Sequence, residues 1–143
     1  MGGHYWTDSS GELQTAVVKD EFDLVISLYS RPGHGPLVGV EHRVVEMPDA
    51  ALTAFQIHRV RQLAVIVATA VRTGGTTLVR CHAGYNRSGL VVAQTLIELG
   101  DDARDAILLI RQRRSPWALH NELFVQYLEA GLDIAGLLVG LES

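Results

Sequence analysis

The stretch LVRCHAGYNRSGL, Leu78 to Leu90, decides how this chain is read, because an apolar, β-branched run passes directly into a turn and then into a helix-forming segment. Cys81 opens the turn and Arg87 closes it, with five residues between them. That length lets a backbone curl around one tetrahedral oxyanion with several amides pointing inward, and Gly84 permits angles and approach distances that a side chain would block. The anion-binding set is therefore His82, Ala83, Gly84, Tyr85, Asn86 and Arg87. A helix beginning here adds free amides and a partial positive charge, which favour a bound anion and also favour Cys81 as the thiolate, its nucleophilic form. Arg87 offers a planar fork suited to two oxygens of one anion, and Ser88 brings a hydroxyl that can stabilise the sulfur as its charge forms or departs.

Outward from this segment, FDLVISLY (Phe22 to Tyr29) and TTLVRC (Thr76 to Cys81) have the composition of buried strands in a mostly parallel sheet. VEHRVVEM (Val40 to Met47) is mixed in polarity and ends at Pro48, as expected of a more exposed strand. SRPGHGPLVG is a loop by its glycines and prolines. Leu52, Phe55, Val60, Leu63, Val67 and Ala70 predict a long amphipathic helix from Asp49 to about Thr73, stopped by Gly74 and Gly75. Further helices are expected from Ser88 to about Leu99, Ala103 to Arg113 and His120 to Ala130, with RSPWALHN as the turn before the last. Strands alternating with helices imply an α/β fold, a mostly parallel central sheet flanked by helices. No repeat or linker divides residues 1–143, so one domain is expected, with 131–143 as an apolar tail or end helix. The apolar run Leu132 to Leu141 is too short to cross a bilayer and carries Asp133.

The 143 residues are 48% hydrophobic and 20% charged, enough apolar material for a core, and the formal charge of -4 argues against broad, non-specific nucleic-acid binding. Anion affinity has to be local. A single cysteine excludes an internal disulfide framework and a cysteine-rich zinc site, and fits a reducing compartment. MGGHYWTDSSGEL lacks the pattern of an export signal or lipid anchor, so a cytoplasmic location and no membrane association are expected.

Transfer of a phosphoryl group to sulfur would also need an acid to protonate the departing oxygen. Asp49, in EMPDAAL after a predicted strand, belongs to a loop on the carboxyl side of the sheet, the same side as the cysteine turn. VRCHAGYNRSG resembles the Cys-(x)5-Arg-Ser signature of the protein tyrosine phosphatase superfamily, and in particular its small dual-specificity phosphatases. The likeness extends over roughly residues 22 to 128, through PDAAL before the turn and NELFVQYL after it. It implies a cysteine-dependent phosphatase fold, a Cys81-phosphate intermediate, Asp49 as acid and then base, and neither metal nor cofactor. By the same resemblance Asn121 orders the loop or the site. The family has His immediately before the cysteine where this chain has Arg80, a cation that would still favour the thiolate.

Simpler roles stand beside these. Asp49 is well suited to cap a helix, and IRQRR (Ile110 to Arg114) fits a solvated helix end better than a substrate contact. Asn86 reads as loop support, Tyr85 as a residue of the pocket mouth, and Arg31 and His34 as possible borders of the cleft. The expected substrate is a phosphorylated protein or peptide, in a shallow rather than deep pocket. YNRSG is also similar to relatives acting on RNA 5′ ends, so an RNA 5′-polyphosphatase or a phosphoinositide phosphatase is the alternative; a rhodanese-type sulfurtransferase and a non-catalytic phosphate-binding module are more distant ones.

Overall fold

The computed structural model describes residues 1–142; Ser143, the end of the expected tail, lies outside the described residues. Five strands and five helices follow in the order β1 (Tyr5–Thr7), β2 (Leu13–Thr15), β3 (Leu24–Ser27), β4 (Glu41–Val44), α1 (Ala54–Arg72), β5 (Thr77–Arg80), α2 (Arg87–Glu98), α3 (Ala103–Arg113), α4 (Glu122–Ala130) and α5 (Leu132–Glu142). The parallel sheet runs β4-β3-β5. All four residues of β3 are buried, which is why its sequence carries no polar alternation, whereas β4 lies at an edge and is mostly exposed. Strands β1 and β2 form a separate antiparallel hairpin, too short for the expected pattern to reveal.

The helical layer packs on this sheet, with α1 against α2 and α5, and with α2 also meeting α3 and α4. Ile57, Val60, Leu63, Ala64 and Val67 supply the buried face of α1, and Phe124, Tyr127 and Leu128 that of α4. Helix α1 begins later than the sequence led one to expect. Thr53 caps it, accepting from the Gln56 amide while the Gln56 side chain accepts from the Thr53 amide. Asp49 is therefore not the helix cap, and the segment from Pro48 to Leu52 is free to approach the turn after β5. Its far end is fixed by the Tyr127 hydroxyl, which accepts from the Leu52 amide at 3.1 Å. The end helix α5 does form, packing through Leu132 and Ala135 and held to α1 by Arg61 on Asp133 at 2.9 Å. Among the described residues, no single helix is long and apolar enough to cross a membrane.

Residues Gly2 to His4 run beside β5. The Gly2 amide donates to Val79 O and the Cys81 amide to Gly2 O, so the edge of β5 is covered up to the start of the cysteine turn. His4 is fully buried, as is Arg80 at 1% exposure. Arg80 donates through Nε to Ser27 Oγ at 3.1 Å and through Nη2 to the His34 carbonyl, while Nη1 has no partner. Ser27 Oγ also pairs with His42 Nε2 at 2.7 Å, and His4 lies between Tyr29 O and His34 Nδ1.

Two outcomes are expected from this packing. Tyr127→Phe leaves the buried Leu52 amide unpaired and should cost about 1–3 kcal/mol in urea unfolding; an unchanged midpoint would show that this tether carries no load. Burial, reinforced by the charge of Arg80, holds His4 and His42 below the ordinary value of 6.5. As pH falls through about 6.5 the unfolded chain takes up protons before the folded one does, so stability should decline from pH 7.5 to 5.5 and decline less in His4→Gln/His42→Gln. A wild-type stability that rises over that interval would contradict this.

Candidate active site

Within the turn from Cys81 to Arg87, the carbonyls of His82 through Asn86 all accept hydrogen bonds. His82 O accepts from the His4 amide at 3.0 Å, Gly84 O and Ala83 O from the Arg114 guanidinium at 3.1 and 3.4 Å, Tyr85 O from the Leu119 amide at 3.1 Å, and Asn86 O from the Leu90 amide at 2.8 Å. The amides show the opposite. Among the described residues, no acceptor in the protein takes the backbone N–H of His82, Ala83, Tyr85 or Asn86. Four free amides, two on either side of Gly84, on a curled backbone are the kind of arrangement that binds an oxyanion. Gly84 has φ +80°, and a Cβ there would stand 2.6 Å from the Gly2 carbonyl carbon and 2.7 Å from Arg114 Nη2, so both its conformation and its crowding demand glycine.

Cys81 lies at the floor of this turn, 2% exposed. Its Sγ accepts from the Gly84 amide at 3.3 Å and lies 3.3 Å from Ser88 Oγ, so the expected hydroxyl does stand beside the sulfur. Arg87 opens α2 and is half-buried. One of its amino groups donates to Met47 O at 3.2 Å, its guanidinium carbon lies 5.9 Å from the Tyr29 ring centroid, and Nε is buried with no partner. A buried guanidinium donor without an acceptor carries a desolvation cost that an anion would relieve.

Asp49 reaches the turn through amides rather than through the sulfur. Asn86 Nδ2 donates to Asp49 Oδ2 at 2.9 Å and Asn121 Nδ2 donates to Asp49 Oδ1 at 2.8 Å. Asn86 accepts in turn from the Asn121 amide at 2.9 Å, and its Nδ2 lies 3.1 Å from His120 Nε2. Asn121 is also the cap of α4, accepting from the Leu123 and Phe124 amides. One asparagine of the turn thus joins the Asp49 segment, the start of α4 and the turn itself. Each carboxylate oxygen keeps a second lone pair, so a proton can sit on Asp49 without breaking either contact.

His82 is exposed at the rim, its ring edge-on to Tyr29 (4.9 Å) and to Tyr5 (5.6 Å), with Arg31 over Tyr5 at 5.2 Å. An open cleft of about 510 Å³ reaches Arg87 from this side, walled by Leu28, Tyr29, Met47 and Pro48 and edged by Ser30, Glu46 and Gln56. Tyr85 is half-buried under the Arg114 guanidinium at 5.1 Å. His34 does not border the cleft, since its carbonyl and ring serve Arg80 and His4. Arg80 itself bonds to Ser27 and His34 rather than to Cys81.

The expectation of a solvated basic helix end is corrected for two of its residues. Arg111 donates to Ala118 O and Leu119 O, both at 3.1 Å, and Arg114 holds the turn. Arg111 thereby secures Leu119, a non-glycine residue at φ 59° whose amide supports Tyr85. Their acceptors are carbonyls brought near by tertiary packing, for which sequence periodicity has no signal. Among the described residues, no group of three or more His, Cys, Asp or Glu side chains is placed to hold a metal ion.

No family model matches the chain, and no curated protein matches it either. Solved structures do. Human DUSP28 superposes with a TM-score of 0.64 at 24% identity, over 78% of this chain and 80% of that one. A mouse putative dual specificity phosphatase, complexed with zinc tungstate, superposes at 0.63 with 26% identity, over 81% and 74%. Tk-PTP in its active form gives 0.58 at 27% identity, over 76% and 79%. These likenesses span most of both chains and agree on one fold, that of the small dual-specificity phosphatases of the protein tyrosine phosphatase superfamily.

Proposed function

We propose that this chain hydrolyses phosphate monoesters on phosphorylated proteins or peptides, through a phosphate bound covalently to Cys81. The observation that carries this reading is the single turn that combines a sulfur with four unpaired amides, with a hydroxyl 3.3 Å from that sulfur and a carboxylate tied to the turn through Asn86. Similarity to dual-specificity and tyrosine phosphatases supports the reaction class.

The amides of His82 to Asn86 and the guanidinium of Arg87 hold the non-bridging oxygens of the ester and stabilise charge on them as phosphorus passes between partners. The Cys81 thiolate forms a bond to phosphorus as the bond from phosphorus to the ester oxygen breaks, and the departing oxygen takes a proton from Asp49. A water then attacks the phosphorus, giving its proton back to Asp49 while the sulfur leaves as thiolate, and phosphate is released. Ser88 stabilises the sulfur as a thiolate before the attack and again as it leaves phosphorus. Asn86 and Asn121 orient Asp49, and Arg114 keeps the turn curled with its amides inward. Arg87 can grip phosphoryl oxygens through Nε, which has no protein partner, while Nη1 stays on Met47 O.

Para-nitrophenyl phosphate should give a burst of one nitrophenolate per chain followed by turnover, and Cys81→Ser should give neither. Absence of both in the wild-type protein would reject the proposal. Asp49→Asn should slow phenyl phosphate hydrolysis by about 100-fold or more, because phenolate needs the proton, and slow the nitrophenyl ester much less. Equal losses on the two esters would remove Asp49 from the acid role. Arg114→Met should lower kcat/KM and weaken phosphate inhibition together, by about 10- to 100-fold, with unchanged circular dichroism and partial recovery in Arg114→Lys. Full activity in Arg114→Met would show that the turn holds its shape without that clamp.

A further inference from the structure

The charges lining the cleft beside Arg87 are unequal in their commitments. Arg87 faces Met47 O and Tyr29, and it will face the phosphate. Glu46 is the only other charged side chain of the lining. Glu46 is exposed, and its Oε1 accepts from the Ser30 hydroxyl, which biases the carboxylate toward the rim. Oε2 accepts no hydrogen bond, and among the described residues no lysine, arginine or histidine forms an ion pair with Glu46. Arg31, the nearest basic residue along the chain to Ser30, is turned onto Tyr5 and does not line the cleft.

The walls between Arg87 and Glu46 are apolar, from Leu28, Tyr29, Met47 and Pro48, so a group resting there is partly shielded from water and feels the carboxylate more strongly than it would in bulk solvent. A phosphate held by the turn satisfies Arg87 and leaves Glu46 as the unbalanced charge of the cleft. A second phosphate placed there meets a fixed negative charge, while a lysine or arginine meets its complement.

Building on the phosphatase reading above, we infer that Glu46 is a specificity-determining residue that selects phosphopeptides carrying lysine or arginine beside the phosphorylated residue and discriminates against substrates bearing further phosphates. Ser30 is the positioning residue that holds its carboxylate in place.

The test uses two phosphotyrosine peptides of equal length, one with arginine and one with aspartate on both sides of the phosphotyrosine, with 5′-triphosphorylated RNA as a third substrate. For the wild-type chain, kcat/KM should be about three- to five-fold higher on the arginine peptide, a ratio expected of one partly exposed ion pair. The ratio should shrink in about 0.5 M NaCl, vanish in Glu46→Gln and invert in Glu46→Arg. Equal rates on the two wild-type reactions, a ratio unmoved by salt, the same ratio in Glu46→Arg, or faster phosphate release from the RNA than from either peptide would each overturn the inference. Para-nitrophenyl phosphate separates the two levels of the reading: turnover with a burst but no preference between peptides defeats the role of Glu46 alone, whereas no turnover at all defeats the phosphatase assignment beneath it.

Discussion

The site depends on how the carbonyls of one turn are anchored. A peptide group that points its oxygen outward points its hydrogen inward, so five carbonyls held from outside, at His82, Ala83, Gly84, Tyr85 and Asn86, leave a concave row of donors. The anchors come from dispersed parts of the chain: His4 near its beginning, Leu90 in α2, Arg114 just beyond α3, and Leu119 in the turn before α4. The cradle is thus a product of tertiary structure even though its sequence is a single short motif. Gly84 marks the narrowest point of that arrangement, where the turn, the N-terminal segment and Arg114 crowd one another.

A second connection brings in the carboxylate. Asn86 has a buried side chain with both ends occupied, donating to Asp49 and His120 and accepting from Asn121. It therefore measures the distance between the Asp49 segment and the start of α4, and it does so from inside the turn. The Tyr127 hydroxyl on Leu52 performs the same service further along α4. Both contacts fasten the Asp49 segment to α4, so that segment and the turn are tied to the same helix.

What the sequence made legible was mostly local. Cys81, Gly84, Arg87 and Ser88 fall within one stretch, and a strand, a tight turn and a helix in that order leave little freedom in how they are arranged. The bounds of α3 were also readable, because Asp102 caps a clean apolar period. The start of α1 was misplaced at Asp49 because apolar spacing continues back to Leu52, while the deciding feature was the Thr53 and Gln56 capping box. The hairpin of β1 and β2 was missed because three residues are too few for alternation to register. Arg111 and Arg114 resembled a solvated helix end because their partners are backbone carbonyls, which leave no trace in composition. Arg80 was legible as a departure from the family's histidine, but its partners Ser27 and His34 meet it only across the sheet.

The pairing of Gly2 with Val79 and Cys81 closes a span of nearly the first eighty positions, and the clamp from Arg114 closes another of about thirty. Contacts between positions so far apart are opposed by chain entropy until the intervening segments are already compact. The β3 to β5 pairing closes a comparable span, so the curl around Cys81 is complete only when contacts across most of the chain are in place. A chain lacking those contacts would hold an ordinary thiol, since the surroundings of the sulfur are drawn from both ends of the fold.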